Sequence, residues 1–221
     1  MVNKPLVPPD NSNYRYGQKT ALKVAGEKLA IMNIKEQCRR TGADYKIVNG
    51  KETAELKYLN VSYSITFPEM EVVSIEDWKP APQRDRLLII HYFLIAAGSP
   101  LTGKSITFKE LPGGTIYFPT FHKRAIEPLL NNFGIKPDKL LVASKGMGGI
   151  KVDYGDVAVR IHALCHVPLI LVLWYGDDEF AATGSILFDS SIDKYLPTED
   201  ITVLCEIIAW RLVKAFNVLE D

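Results

Sequence analysis

Residues 44–67 read DYKIVNGKETAELKYLNVSYSITF, and this stretch decides the fold class. It contains Asn49-Gly50, a strong signal for a two-residue hairpin turn, because both residue types tolerate a positive φ. From Val61 to Phe67 every second residue is apolar, as in a strand that buries one face and exposes the other. The stretch therefore predicts an antiparallel meander of three or four strands over residues 44–75.

Helical periodicity dominates on both sides of the meander, with apolar residues recurring every three to four positions. The predicted helices cover residues 14–31, 33–41, 83–97, 120–133, 137–145 and 199–217. Further short strands are predicted at 106–108, 157–161, 169–174 and 186–188. Because helices and strands come in blocks rather than in strict alternation, we predict an α+β protein. Its antiparallel or mixed sheet would pack against helices in a single compact domain.

Local signals refine the ends of these elements. Gly113-Gly114 is predicted to form a hairpin turn. Thr198 is predicted to be the N-cap of the last helix, where Glu199 and Asp200 suit the positive end of the helix dipole. The glycines of residues 146–149 precede a strand and lack the Lys-Ser/Thr of a phosphate loop, so they do not favour a nucleotide site.

Composition and charge limit the class of protein. The 221 residues include 26 Lys and Arg and 26 Asp and Glu, so the formal net charge is zero, and neither a nucleic-acid nor a membrane partner is indicated. Residues 1–13 are rich in Pro and Asn and are expected to be a flexible leader, with one domain over 14–221. Three cysteines without CxxC spacing and apolar runs too short to span a bilayer predict a cytoplasmic protein.

Two histidines and a thiol are concentrated between His162 and His166. In a regular strand, His162, Leu164 and His166 would share one face and Cys165 would point to the other. Two imidazoles, or an imidazole and a thiolate, could then bind a metal ion or a heme iron, so His162, Cys165 and His166 are candidate metal ligands. The alternative is structural, with an exposed His162, a small buried Cys165 and a loop residue at His166.

Carboxylates at strand and helix ends form a second candidate site. Asp178 and Glu179 follow the predicted central strand, and Glu199 opens the last helix. If these segments meet, the side chains could bind a hard cation or act as acid and base, with His122 as a proton carrier. The alternative is ordinary turn and helix-end chemistry, which uses the same residue types.

An aromatic segment supplies the third candidate site. Tyr117, Phe121 and His122 lie close in sequence to Lys109 and Glu110. Together they could line an apolar pocket with a few polar groups, as ligand-binding pockets are commonly built. Aromatic side chains at this density also build ordinary protein cores, and that alternative stays open.

Several strings spread over the chain resemble one prokaryotic family, catalogued as domain of unknown function 3786. They include FKELPGG (108–114), AIEPL (125–129), SILFD (185–189) and YLPTED (195–200), and they extend the resemblance over nearly the whole chain after the leader. Members occur mostly in anaerobic bacteria and archaea, and some are joined to an iron–sulfur segment like that of corrinoid proteins. The resemblance implies a link to a metal cofactor, with heme or a corrinoid as the candidate. This chain lacks the four-cysteine segment, so no cluster of its own is implied.

Three functions follow as expectations. The first is a ligand- or cofactor-binding accessory protein of anaerobic metabolism, with a tetrapyrrole or another metal cofactor as the ligand. The second is an enzyme that uses the carboxylate and histidine groups, and the third is an interaction module that docks onto a partner enzyme. The first two require that the strings FKELPGG, FH, GDDEF and PTED converge on one cavity.

Overall fold

The computed structural model describes residues 25–29, 31–176 and 179–220. The predicted leader over 1–13 and most of the predicted helix over 14–31 lie outside the described residues. Within that helix, residues 25–29 are helical. In the part of the chain that the structure describes, every helix is too short or too polar to cross a lipid bilayer.

Six helices and nine strands are named here in chain order. The helices are α1 (Ile34–Thr41), α2 (Gln83–Ile95), α3 (Gly114–Phe121), α4 (Glu127–Phe133), α5 (Lys139–Ser144) and α6 (Thr198–Glu220). The strands are β1 (Asp44–Val48), β2 (Lys51–Tyr58), β3 (Val61–Thr66), β4 (Glu71–Ser74), β5 (Ser105–Thr107), β6 (Ile150–Val152), β7 (Val157–Leu164), β8 (Val167–Trp174) and β9 (Thr183–Asp189). A π-helical turn, His122–Ile126, joins α3 to α4.

The first sheet is a four-stranded antiparallel meander in the order β1-β2-β3-β4. Val48 pairs with Lys51 across the predicted hairpin turn. Asn49 and Gly50 both have a positive φ, 53° and 78°, which matches the right-handed twist of the strands they join. The Asn-Gly signal therefore identified the turn correctly.

The second sheet has five antiparallel strands in the order β5-β9-β8-β7-β6. The central strand, β8, is buried from Leu169 to Leu173, as its continuous apolar sequence predicts. The backbone N–H of Leu59 donates to the carbonyl of Ala163 at 2.9 Å and so links the meander to β7. Together with the helices, the two sheets confirm the predicted α+β class.

Helix α6 supplies much of the core. Its fully buried residues recur at helical spacing, and they are Ile201, Leu204, Cys205, Ile208 and Leu212. This face packs against α4, α5 and the π-helical turn, and its side chains belong to one apolar cluster that also includes residues of both sheets. The polar residues of α6 lie outside this apolar face, and some of them belong to the candidate site.

The predicted hairpin turn at Gly113-Gly114 is wrong. Gly113 has a φ of +70° and precedes α3, while Gly114 is the first residue of that helix. A Cβ at Gly114 would lie 1.9 Å from the carbonyl oxygen of Phe108, so only glycine fits there. The glycine pair therefore starts a helix six residues earlier than predicted.

Thr198 is not the N-cap of α6 but its first helical residue. The carbonyl of Pro197 accepts the first helical hydrogen bond, from the N–H of Ile201. The Thr198 hydroxyl donates instead to the carbonyl of Pro112, at 2.7 Å. A side chain assigned to a local cap thus makes a contact between distant segments.

The expected shared face of His162, Leu164 and His166 is also wrong. The pairing of β7 with β8 shifts register between His162 and Leu164, and a bulge of this kind breaks the alternation of faces. Leu164 is accordingly buried while His162 is exposed. β7 ends at Leu164, so Cys165 and His166 lie in the turn that follows.

Asp189 at the end of β9 fixes the loop that precedes β5. Its carboxylate accepts hydrogen bonds from the backbone N–H groups of Thr102 and Gly103, at 3.1 and 2.7 Å. It also accepts from the N–H and the hydroxyl of Ser191, at 2.9 and 2.6 Å. Burial alone would raise the pKa of Asp189, but these hydrogen bonds favour the charged form and lower it to about 2.

We expect Asp189→Asn to lower the free energy of unfolding by about 2 kcal/mol at pH 7, because hydrogen bonds to a charged group each contribute about 1.5–3 kcal/mol. The folded pKa lies below the unfolded value of about 3.9. The contribution is therefore complete above about pH 5 and declines as the pH falls toward 2. Urea unfolding of both proteins between pH 7 and pH 2.5 measures this difference.

The control is Asp193→Asn, which alters an exposed carboxylate in the following turn and should change stability by less than about 0.5 kcal/mol. A stability difference between Asp189→Asn and the parent that stays constant down to pH 2.5 would contradict the assignment.

Candidate functional site

A cleft of about 260 Å³ lies between α2, α3 and the N-terminal half of α6, and we call it the three-helix cleft. Its lining residues are Arg84, Leu87, Leu88, Tyr117, Thr120, Arg124, Glu199, Asp200, Thr202 and Val203. Apolar side chains alternate there with charged and hydroxyl groups. This mixture is the usual composition of a small-molecule site.

Helical periodicity explains why these side chains meet. On α2, Arg84, Leu87 and Leu88 lie at spacings of three and four residues and so share one face. On α6, Glu199 and Val203 follow the same rule. Each helix thus presents its cleft residues as a stripe, beside the apolar stripe that enters the core.

A buried carboxylate holds one end of the cleft together. Glu206 on α6 is only 1% exposed. Its Oε2 accepts a hydrogen bond from Arg84 Nη2 at 2.5 Å and from Arg124 Nε at 3.0 Å, and Arg124 Nη2 also donates to it. One oxygen therefore connects α2, the π-helical turn and α6.

The π-helical turn places Arg124. The N–H of Glu127 donates to the carbonyl of His122, five residues earlier, and this bond widens the helix locally. Turns of this type occur often at functional sites, because the extra residue changes the direction of neighbouring side chains. Here the turn carries the arginine that contacts Glu206 and lines the cleft.

A histidine–aspartate pair lies at the other end of the cleft. His91 Nδ1 is 2.7 Å from Asp200 Oδ2, and both side chains are largely buried. His91 is one turn beyond Leu87 and Leu88 on the same face of α2. A carboxylate in contact with one ring nitrogen fixes the orientation of the imidazole and directs the other nitrogen.

Two of the residues predicted from sequence meet in this cleft. Tyr117 and Glu199 both line it, and the Tyr117 hydroxyl lies 3.5 Å from Glu199 Oε1. The Thr198–Pro112 hydrogen bond holds the PTED and FKELPGG strings together beside them. The structure therefore brings together part of the predicted convergence.

Lys109 and Phe121 line a separate pocket of about 210 Å³ against β9. Phe121 stacks on Phe108 with a centroid distance of 3.9 Å, which makes it a core residue. Lys109 Nζ lies 4.3 Å from the ring centroid of Phe118, a cation–π contact. Both residues have local packing partners outside the three-helix cleft.

Glu110 and His122 also have local partners. The Glu110 carboxylate accepts hydrogen bonds from the backbone N–H and the hydroxyl of Thr107, at 2.7 and 2.9 Å, and these bonds lower its pKa. His122 Nδ1 lies 3.5 Å from Glu127 Oε1 in a half-exposed pair. This is the helix-end chemistry that the sequence left open as an alternative.

The GDDEF string does not join the three-helix cleft. Asp178 lies outside the described residues. Glu179 is exposed, and the adjacent Phe180 lines a different, open depression with Ile135 and Tyr175. Glu179 is therefore not among the described lining residues of the cleft, where the carboxylate beside Glu199 is Asp200.

The candidate metal ligands are spread over a strand end and a turn. Partial burial, and then the nearby Arg160, lower the pKa of the exposed His162. The His166 ring stacks on Tyr195 at 5.0 Å. The Cys165 thiol lies against Gly42, the residue that follows α1 and has a φ of +72°. Burial raises the pKa of the Cys165 thiol. Among the described residues, no three His, Cys, Asp or Glu side chains are placed to share one metal ion.

Most of the cleft was not predicted from the sequence. The residues missed are the lining residues Arg84, Thr120 and Arg124, together with His91 and Glu206, which contact lining residues. One signal could have found some of them. His91 interrupts the apolar run of residues 87–95, and Glu206 interrupts the largely apolar run of residues 201–210; a polar or charged group within an apolar helix requires a partner.

We expect Glu206→Gln to lower the free energy of unfolding by about 2 kcal/mol, because it leaves two partly buried arginines without their shared charge. Urea unfolding at pH 7 measures the change. The matched control is Glu199→Gln, an exposed carboxylate two turns earlier on α6, which should cost less than about 0.5 kcal/mol. Equal effects of the two substitutions would contradict the role given to Glu206.

No curated protein and no solved structure is significantly similar to this chain. The sequence profile of one family, described as Domain of unknown function (DUF3786), matches residues 33–211. The matched region includes both sheets and the lining residues of the three-helix cleft. The chain therefore belongs to the DUF3786 family.

Proposed function

We propose that this protein is an accessory protein that binds a small ligand, and that the ligand lies in the three-helix cleft. The single observation that carries the proposal is the lining of this cleft. Two arginines, two carboxylates and several hydroxyl groups from three helices surround an apolar floor of Leu87, Leu88 and Val203. Polar groups that converge over an apolar floor give a small molecule both binding energy and orientation.

The size of the cleft favours a compact ligand over a tetrapyrrole. Drug-sized ligands use pockets of about 300–1,000 Å³, and the cleft encloses about 260 Å³. Among its described lining residues there is also no histidine, cysteine or methionine to ligate a heme or corrinoid metal. The heme or corrinoid expected from the family resemblance does not fit this site, and our proposal derives no step from it.

A second candidate function, an acid–base enzyme, is favoured by the pair formed by His91 and Asp200. An imidazole oriented by a carboxylate is a common general base. His91 is not among the described lining residues, so in this function it acts on the ligand through Asp200, which contacts it and lines the cleft. This function requires chemical turnover of a ligand. It also requires that turnover, but not binding, be lost in His91→Gln.

We place the protein in the cytoplasm and in anaerobic metabolism as part of the same proposal. The thiols of Cys38 and Cys205 are buried and free. Free thiols are typical of proteins in reducing compartments. The metabolic context rests on the family resemblance alone.

We expect small polar fragments that bind the parent protein to lose binding in Thr120→Trp. Thr120 is exposed and lines the cleft, so an indole ring there should occupy the cleft without disturbing the core. Ligand-observed NMR with a fragment library measures binding.

Hemin and cobalamin serve as larger probes, and their binding is followed by absorbance. We expect the protein to retain neither.

The matched control is Ile116→Trp, which places the same ring on α3 at a residue that is 82% exposed and outside the described lining of the cleft. This variant should bind fragments like the parent. Fragment binding that is unchanged in Thr120→Trp would show that the ligand site lies elsewhere. A stoichiometric complex with hemin would contradict the preference for a compact ligand over a tetrapyrrole.

A further inference from the structure

The charges that line the three-helix cleft are divided between its two ends. Arg84 and Arg124 both contact Glu206 and therefore lie at one end. Glu199 and Asp200 lie at the other end, at the start of α6. With a rise of 1.5 Å per residue, the backbone positions of Glu199 and Glu206 lie about 10 Å apart along the helix axis.

Arg84 and Arg124 contact Glu206 at a part of the cleft that a ligand can also reach. A guanidinium group has five N–H donors in a planar fork and pairs well with carboxylates. Arg84 and Arg124 both line the cavity while they contact Glu206. An anionic group that enters this end would meet donors already held in place by the buried carboxylate, which reduces the entropy lost on binding.

The negative end offers acceptors. Glu199 is exposed toward the cleft mouth, with the Tyr117 hydroxyl 3.5 Å away, and Asp200 lies deeper beside His91. A ligand with a single anionic group would meet repulsion from these carboxylates, and a ligand with a single cationic group would meet repulsion from the arginines. Opposite charges at the two ends therefore disfavour both types relative to a ligand that carries both charges.

We infer that the ligand is a compact zwitterion of amino-acid size, with its carboxylate at Arg84 and Arg124 and its ammonium group at Glu199 and Asp200. This inference rests on the proposed function, since it names the ligand class of the same cleft. Between the two ends, the methylene groups of the ligand contact the apolar floor formed by Leu87 and Val203. The distance between the charged ends favours an ammonium group several bonds from the carboxylate over an α-amino group.

The test uses straight-chain amino acids from glycine to 6-aminohexanoate as probes, measured by isothermal titration calorimetry at low ionic strength, where charge effects are least screened. We expect affinity to rise along the series as the charge separation approaches that of the cleft. Hexanoate and hexylamine, which each carry one of the two charges, should bind at least about tenfold more weakly than 6-aminohexanoate, a difference of about 1.4 kcal/mol.

A protein variant tests the orientation. Glu199→Gln should weaken binding of 6-aminohexanoate about fivefold, because it removes a charge facing the ammonium group, and should leave hexanoate unchanged or bound more tightly. The matched control, Glu71→Gln, alters an exposed carboxylate on β4 and should change neither. Equal loss of both probes in Glu199→Gln would overturn the orientation.

The outcomes separate this inference from the proposed function. If fragments bind and Thr120→Trp blocks them, but the amino acids bind no better than hexanoate or hexylamine, the zwitterion is overturned and the ligand site stands. If neither fragments nor amino acids bind the cleft, both proposals fail. Affinity that rises with chain length and disappears in Thr120→Trp supports both.

Discussion

The contact on which this structure depends most is the one between the buried carboxylate of Glu206 and its two arginines. A lone charge in the core would be too costly to retain, so Glu206 requires Arg84 and Arg124 to stay where they are. These partners lie 122 and 82 residues away in the chain. The pairing therefore fixes α2, the π-helical turn and α6 to one another at a polar point inside an otherwise apolar layer.

The same requirement creates the candidate site. Helices packed only through leucine and isoleucine would close against each other, whereas charged side chains at their contact keep a polar gap between them. In this protein the gap becomes the three-helix cleft, with its positive end set by the Glu206 contact and its negative end set by the start of α6. The side chains that stabilise this contact are therefore also the ones that we propose bind the ligand.

Much of the fold could be predicted because its signals are local. Asn49-Gly50 specifies its own turn, and the continuous apolar run of β8 identifies a central strand without knowledge of its neighbours. Gly113-Gly114 could not be assigned in this way, because the close approach of Gly114 to Phe108 exists only after folding. The site was harder for the same reason. Tyr117 was noticed as part of an aromatic segment and Glu199 as a carboxylate at the start of a helix, but Arg124 is placed at the cleft only through a distant partner.

The π-helical turn over His122–Ile126 has a consequence for the evolution of the family. A residue gained or lost in a regular helix rotates everything beyond it by about 100°, and a π-helical turn absorbs such a change locally. Deletion of one residue in this turn would place a different side chain beside Glu206 and so change the charged groups at the positive end of the cleft. The lining residues on α2 and α6 would keep their positions, so the change would be confined to one end of the cleft.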